Sequence, residues 1–196
     1  MSTVGFAMAG GRSRRMGQDK ALLPWGDTDL LGHALARLSG VVDEVGILPG
    51  AERRYTDRGV AEHLDAAPDQ GPLAGLLAAL EGAPGRAALL LGIDLPLVPS
   101  RLLERLVALT GGADAVVPVS PRGPEPLCAV YDTACLDHVR RHVAAGDLKM
   151  TVFWPDVRVR EVGPEELEVF GAPAELFLNV NAPEDYERAR ALNARP

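Results

Sequence analysis

Apolar and polar positions along the chain follow two alternating patterns. Short, almost wholly apolar runs, of which residues 87–93 are the clearest, are typical of strands buried on both faces of a sheet. Between them lie stretches in which leucine and alanine recur at helical spacing, as at Leu31, Ala34, Leu35 and Leu38. This alternation predicts an α/β fold in which a mostly parallel central sheet carries helices on both faces.

The predicted strands occupy residues 3–8, 44–48, 60–64, 87–93, 113–117, 127–131 and 157–162. The predicted helices occupy residues 29–38, 71–81, 100–109, 134–145 and 184–192, with a short helical turn at residues 151–154. The first of these helices can be capped by Asp27, Thr28 or Asp29. The third can be capped by Ser100. No internal repeat or low-complexity linker is present, so we expect residues 1–196 to form one domain.

Composition narrows the class of protein. Apolar residues make up 47% of the chain and charged residues 24%, which indicates a globular protein. The net charge of −7 and a pI near 5.1 argue against a general binder of nucleic acid or of membrane surfaces. No apolar run approaches the ~20 residues of a membrane span, and no signal peptide is apparent. We expect a cytoplasmic protein with reduced thiols at Cys128 and Cys135.

Positive charge is concentrated directly after the first predicted strand. Residues 9–20 read Ala-Gly-Gly-Arg-Ser-Arg-Arg-Met-Gly-Gln-Asp-Lys, with four cations and one acid. A glycine-rich turn after a strand lets backbone N–H groups approach an anion, and arginine and lysine match phosphate oxygens. The segment therefore predicts a triphosphate site. Arg15 and Lys20 are the preferred phosphate ligands, whereas Arg12 and Arg14 could equally face solvent.

Two better-known phosphate motifs do not fit this segment. Lys20 is followed by Ala21 where the P-loop requires serine or threonine, and the glycines lack the spacing of the dinucleotide fingerprint. Residues 9–20 instead resemble the signature of nucleotidyltransferases, and the double glycine is closest to the MobA-like molybdenum cofactor guanylyltransferases. The resemblance implies a three-layer Rossmann-like nucleotidyltransferase fold. It also implies nucleotide contacts from Met8, Ala9, Gly10 and Gly11.

Further motifs support the nucleotide side of this resemblance. Asp94 follows the buried run at residues 87–93, where α/β folds place their chemistry, and the matching aspartate of the family binds Mg²⁺ and nucleotide. Asp65 matches an aspartate that contacts the nucleotide, and a carboxylate can accept from guanine N–H groups. The alternative interpretation is that Asp65 is an ordinary aspartate of a turn before Pro68. Gly71 begins a segment that resembles the base-side segment of the family. In the family an asparagine near the position of Leu48 usually touches the nucleotide. This chain has leucine there, so that nucleotide contact is either lost or made through backbone atoms.

The acceptor side is predicted from the C-terminal region. Residues 178–185 read Leu-Asn-Val-Asn-Ala-Pro-Glu-Asp and resemble a nearly identical run in the family. Alternation puts Asn179 and Asn181 on one face. Asn181 could ligate metal, contact the acceptor, or only cap the last helix. Lys149 could meet the acceptor phosphate, although a plain surface lysine is an equal alternative.

The resemblance implies a definite activity, the transfer of GMP from GTP to the terminal phosphate of molybdopterin with release of pyrophosphate. Mg²⁺ is the implied cofactor, and Arg15, Lys20 and Asp94 are the expected catalytic residues. Two alternatives stay open: a cytidylyl or sugar-phosphate nucleotidyltransferase of the same fold, and a non-catalytic adaptor that binds GTP or pterin. Transient contact with molybdenum-insertion or molybdoenzyme maturation proteins is a further expectation.

Overall fold

The computed structural model describes residues 2–10, 19–65 and 71–194 of the chain. Its strands are β1 Thr3–Met8, β2 Pro24–Trp25, β3 Thr28–Asp29, β4 Glu44–Leu48, β5 Ala61–Glu62, β6 Ala87–Gly92, β7 Ala115–Ser120, β8 Gly123–Pro124, β9 Cys128–Tyr131 and β10 Val159–Val162. Its α-helices are α1 Leu30–Ser39, α2 Gly71–Gly82, α3 Ser100–Ala108, α4 Leu136–Ala144, α5 Pro164–Leu167, α6 Pro173–Leu176 and α7 Pro183–Asn193.

One mixed sheet organises the described residues. Its strands lie in the order β10-β7-β9-β6-β1-β4-β5, and β8 pairs with β7 at one end. The pairs formed by β1 with β4 and β6, by β4 with β5, and by β7 with β10 are parallel. β9 runs antiparallel to β6 and β7 because a short connection over residues 121–127 can only return the chain in the opposite direction. The predicted α/β class with a mostly parallel sheet is confirmed.

Alternate residues of the central strands pack into two separate helix layers. Ala7 of β1 and Leu89 of β6 join the apolar cluster that contains α1 and α3, whereas Phe6 and Leu90 join the one that contains α2. β6 is buried along its whole length, which explains its continuous apolar sequence. In the described part of the chain, no helix is both long and apolar enough to cross a membrane.

The sequence did not predict the shortest elements. It missed the hairpin of β2 and β3, the two-residue strand β8, and the four-residue helices α5 and α6. Elements of two to four residues are too short to show a period in their apolar positions. The strand predicted at residues 60–64 is shorter in the structure and covers only Ala61–Glu62. In place of the helical turn predicted at residues 151–154, the structure has a 3₁₀ turn at Trp154–Asp156.

The predicted helix caps had different outcomes. Oδ1 of Asp29 accepts a hydrogen bond of 2.8 Å from the Gly32 amide, which confirms a cap at the start of α1, and Arg58 donates to both carboxylate oxygens of Asp29. The prediction for Ser100 was wrong. Pro99 occupies the cap position of α3 and makes no side-chain hydrogen bond, while the Ser100 hydroxyl donates to the Arg37 carbonyl at 3.4 Å.

We predict that Asp29→Ala destabilises the protein by about 1–3 kcal/mol, because it removes a helix cap and the two hydrogen bonds that the half-buried Arg58 donates to that carboxylate. Ser100→Ala is the matched control, and we expect it to change stability by less than about 0.5 kcal/mol. Urea unfolding of the two variants measures the difference. Equal destabilisation by the two substitutions would contradict the assignment of the cap to Asp29.

Candidate active site

The candidate site lies at the carboxyl edge of the parallel strands. Met8, the last residue of β1, pairs with Leu48 at the end of β4 and with Gly92 at the end of β6. Three strands therefore end side by side, and Gly10 and Asp94 follow two of them. Open α/β sheets bind their ligands outside this edge.

A cluster of three side chains joins the N-terminal and C-terminal motifs. Nζ of Lys20 lies 3.7 Å from Oδ2 of Asp94 and donates a hydrogen bond of 3.2 Å to Oδ1 of Asn181. The side chains of Lys20 and Asp94 are each only 18% exposed, so water and salt screen their attraction less than at an open surface. We call Lys20, Asp94 and Asn181 the central cluster. Its two oxygens already hold one cation, the ammonium group.

Backbone contacts fix the position of Asp94. The Ile93 amide donates to the Met8 carbonyl at 3.2 Å, and the Val180 amide donates to the Asp94 carbonyl at 2.9 Å. The carboxylate folds back over Gly92, where a β-carbon would lie only 2.5 Å from Oδ1 of Asp94. Glycine at residue 92 is therefore required for this orientation of the carboxylate.

Asp19 positions Lys20, a role that the sequence analysis missed. Its carboxylate caps the 3₁₀ turn Lys20–Leu22 by accepting from the Ala21 amide at 3.1 Å. It also accepts from Nη2 of Arg54 at 2.5 Å and from the hydroxyl of Tyr55 at 3.1 Å. Burial and the Asp19 charge raise the pKa of Tyr55, so its hydroxyl remains a donor. An acid directly before Lys20 in the motif was the available signal.

Asp65 presents an unpaired oxygen on the predicted base side of the site. Its amide donates to the Gly50 carbonyl at 2.9 Å, whereas its side-chain Oδ1 is buried and has no hydrogen-bond partner among the described residues. Burial raises the pKa of this carboxyl group. A β-carbon at Gly75 would lie 3.8 Å from Oδ1 of Asp65 and 2.9 Å from Cε of Met8. The structure thus brings together Asp65, Met8 and the start of α2, with a buried acceptor left for a ligand.

Gly71 and the loop that carries Lys149 also lie together. Gly71 has a φ of +69°, which favours glycine, and a β-carbon there would lie 3.4 Å from Cβ of Leu148. Nδ1 of His142 lies 2.8 Å from Oδ2 of Asp147, so the loop is tied to α4. Lys149 itself is exposed, and its role stays a prediction.

The structure corrects the role that was expected of the Gly10 amide. The Ala9 and Gly10 amides both donate to the Leu48 carbonyl at 2.9 Å, so neither is available for phosphate in this arrangement. The Leu48 side chain is buried and its carbonyl is occupied by these two donors. Neither the side chain nor the carbonyl oxygen of Leu48 is therefore directed to a ligand in this arrangement. The remaining predicted phosphate residues, Gly11 and Arg15, lie outside the described residues, as do Arg12 and Arg14.

The paired asparagines lie where alternation predicts. Leu178 and Val180 are buried, while Asn179 is half-buried and Asn181 is exposed. The capping interpretation of Asn181 was wrong, because Ala182 occupies the cap position of α7 and Asp185 accepts from the amides of Asn181 and Ala182. The side chain of Asn181 is directed to Lys20 instead.

Comparison with known proteins identifies the family. Residues 5–156 match the model of the MobA-like NTP transferase domain. The chain belongs to this family. The family predicted from the sequence motifs is therefore confirmed, and with it the assignment of this MobA-like chain as a nucleotidyltransferase.

Relatives of the MobA-like chain cover nearly its full length. It is 34% identical to a probable molybdenum cofactor guanylyltransferase of Pelotomaculum thermopropionicum, over 98% of this chain and 94% of the relative. It also resembles the structure of molybdopterin-guanine dinucleotide biosynthesis protein A from Archaeoglobus fulgidus, with a TM-score of 0.83 and 25% identity over 97% of this chain and 98% of the other. A Mycobacterium tuberculosis protein solved in complex with manganese shares the fold, with a TM-score of 0.69 and 20% identity over 97% and 99% of the two chains.

The donors of the MobA-like central cluster suit a hard divalent cation. Mg²⁺ prefers oxygen ligands and is usually held by one or two carboxylates together with substrate phosphates. Asp94 supplies a carboxylate and Asn181 an amide oxygen, on either side of the Lys20 ammonium. Within the described ranges, no three His, Cys, Asp or Glu side chains are grouped to hold a metal. A cation at Asp94 would therefore depend on nucleotide phosphates for its other ligands.

We predict that Gly92→Ala lowers nucleotidyl transfer by about 100-fold, because the added β-carbon displaces the Asp94 carboxylate and small displacements in a site have effects of that size. Gly112→Ala is the control, since a β-carbon there meets no atom within 4 Å. Initial rates of pyrophosphate release, compared with the melting temperatures, measure the effect. Full activity of Gly92→Ala would show that the carboxylate works from another orientation.

Proposed function

We propose that this chain is a molybdenum cofactor guanylyltransferase, which transfers GMP from GTP to the terminal phosphate of molybdopterin and releases pyrophosphate. The observation that carries the proposal is the meeting of Lys20, Asp94 and Asn181 at the carboxyl edge of the sheet. A phosphate loop alone would serve a hydrolase, a kinase or a transferase. The C-terminal asparagine in the same cluster supports a transferase with a second substrate.

The nucleotide base is assigned to Asp65. The carboxylate can accept from the ring N–H and the amino group of guanine, and its buried Oδ1 has no hydrogen-bond partner in the described structure. The neighbouring glycine backbone at Gly71 and Gly75 allows a flat ring to approach closely. This arrangement supports GTP as the nucleotide, with its triphosphate directed to Lys20.

The reaction needs no general base. An oxygen of the acceptor phosphate attacks the α-phosphorus of GTP, the bond from that phosphorus to the bridging oxygen breaks, and pyrophosphate leaves with the electron pair. Catalysis then consists of positioning and stabilisation of charge. Lys20 neutralises the negative charge that develops on the leaving pyrophosphate. The Asp19 cap holds the backbone turn that carries Lys20, and Asp94 and Asn181 hold its ammonium.

Asp94 and Asn181 would hold Mg²⁺ on the nucleotide phosphates. The bound cation would withdraw charge from the phosphate oxygens and align the attacking and leaving groups. Asn181 belongs to this cluster, Asn179 precedes it by two residues in the same segment, and Lys149 lies on the loop beside Gly71. We assign these three residues to the acceptor side.

The direct test is an assay of the purified chain with GTP, Mg²⁺ and molybdopterin. We expect pyrophosphate release that depends on all three, and Asp94→Ala should lower the rate by about 100-fold or more while the fold is kept. Asp137→Ala is the control, because the Asp137 side chain is 86% exposed on α4. No pyrophosphate release, together with intact GTP binding, would support an adaptor instead. Tighter binding of CTP than of GTP in isothermal titration would support a cytidylyltransferase.

A second prediction concerns the pH dependence of GTP binding. Burial raises the pKa of Asp65, so a proton competes with guanine at a higher pH than the value of about 4 usual for aspartate. We expect the dissociation constant of GTP to rise as the pH is lowered through that raised pKa. Asp65→Asn should weaken GTP binding by roughly 10- to 100-fold and remove this pH dependence.

The stability of the same variant separates function from folding. A carboxyl group with a raised pKa in the folded protein opposes folding at any pH where it is ionised, so Asp65→Asn should melt no lower than the parent near neutral pH. The exposed Asp43→Asn serves as the control for loss of one charge. Unchanged GTP affinity in Asp65→Asn would remove Asp65 from the base site.

A further inference from the structure

A second polar group lies at the same edge of the sheet, on the connection between β7 and β9. β6 and β7 both run antiparallel to β9, so β7 ends at Ser120 on the edge where Asp94 follows β6. Arg122 and Glu125 lie on this connection. The Glu125 amide donates to the Pro118 carbonyl at 2.9 Å, and the Glu125 carbonyl accepts from the Cys128 amide at 3.0 Å, so the backbone here is well fixed.

The side chains of Ser120, Arg122 and Glu125 form a connected network. The Ser120 hydroxyl donates to Oε1 of Glu125 at 2.6 Å and accepts from the Arg122 amide at 3.1 Å. Nη2 of Arg122 lies 3.8 Å from the same Oε1 and donates to the carbonyl of Phe177. Glu125 is thus shared between a hydroxyl and a guanidinium, and it orients the arginine towards Phe177.

Phe177 begins the segment that completes the central cluster. Residues 177–181 belong to no helix or strand, and single backbone hydrogen bonds, such as that of the Leu178 amide to the Glu175 carbonyl at 3.1 Å, hold them in place of a ladder. The Val180 amide donates to the Asp94 carbonyl, and Oδ1 of Asn181 accepts from Lys20. The hydrogen bond from Arg122 to Phe177 therefore anchors the segment three residues before its contact with Asp94.

Glu125 occupies an unfavourable place for an acid. Its side chain is 12% exposed. Burial raises its pKa, with a smaller contribution from the nearby charge of Asp94, while Ser120 and Arg122 oppose the change. A largely buried acid is costly unless it is hydrogen-bonded or paired. Here the Ser120 hydroxyl and the Arg122 guanidinium offset that cost, and the pairing places the arginine next to Phe177.

We propose that Arg122, oriented by Glu125, is a positioning residue for the acceptor substrate, because it holds residues 177–181 so that Asn179 and Asn181 present their side chains to the site. The inference rests on the proposed function and assigns this network to its acceptor side. The nucleotide side also has anchors that do not involve Arg122: the Ile93 amide on Met8 beside Asp94, Asp19 at Lys20 and Gly50 at Asp65. We therefore expect loss of Arg122 to affect the acceptor more than GTP.

The test compares Arg122→Ala, Arg122→Lys and Glu125→Gln with the parent enzyme. We expect Arg122→Ala to raise the KM for molybdopterin about tenfold, as for the loss of one charged hydrogen bond, while the Kd of GTP stays within about twofold. Lysine can still donate one hydrogen bond to Phe177, so Arg122→Lys should recover part of the loss. Arg158→Ala is the control for loss of a cation, because Arg158 pairs with Asp114 at the opposite edge of the sheet.

Hydrogen exchange supplies a readout that is independent of turnover. In Arg122→Ala the Val180 amide should exchange faster, whereas the Ile93 amide, bonded to Met8, should not change. An unchanged Val180 amide, or a fall in GTP affinity parallel to the rise in KM, would overturn the inference. If the parent enzyme releases no pyrophosphate, the proposed function fails. If the parent is active and Arg122→Ala keeps its KM, only the positioning role fails.

Discussion

The site depends on one electrostatic arrangement, an ammonium held between a carboxylate and an amide oxygen. Lys20 alone would be repelled by the positive end of the short helical turn that it begins. Asp94 and Asn181 offset that repulsion, and the low exposure of the ammonium and the carboxylate keeps their attraction effective. The same three groups would meet the triphosphate and the cation in the proposed reaction. The cap at Asp19, the end of β1 and the Val180 amide position Lys20 and Asp94.

The two sides of the site are held by different kinds of contact. On the nucleotide side, strand ends and backbone hydrogen bonds fix Asp94 and Asp65, so this half shares the rigidity of the sheet. On the acceptor side, an irregular segment is held by single backbone contacts, such as that of the Val180 amide with the Asp94 carbonyl, and by the Arg122 side chain. Side-chain anchors can change in evolution without disturbance of the sheet.

Much of this arrangement could be predicted from sequence because the information is local. The observed bounds of β1 and β4 match the prediction, and those of β6 and α2 differ by one residue, since their apolar patterns extend over whole elements. Lys20, Asp94 and Asn181 were each predicted from motifs. Their mutual contact was not, because it joins residues 161 apart in sequence. The roles of Asp19 and Arg122 were missed for the same reason: their partners lie 36 and 55 residues away, and no local pattern reports such pairs.

The separation between Lys20 and Asn181 also has a consequence for how the enzyme is made. A chain emerging from the ribosome acquires β1, β4 and β6, and with them Asp65 and Asp94, long before residue 181 is synthesised. Closing so large a loop is an unfavourable step that the preceding sheet has to stabilise. The nascent chain thus has the residues that we propose for nucleotide binding before it has the asparagine that completes the cluster. The central cluster can form only when nearly the whole chain has been synthesised.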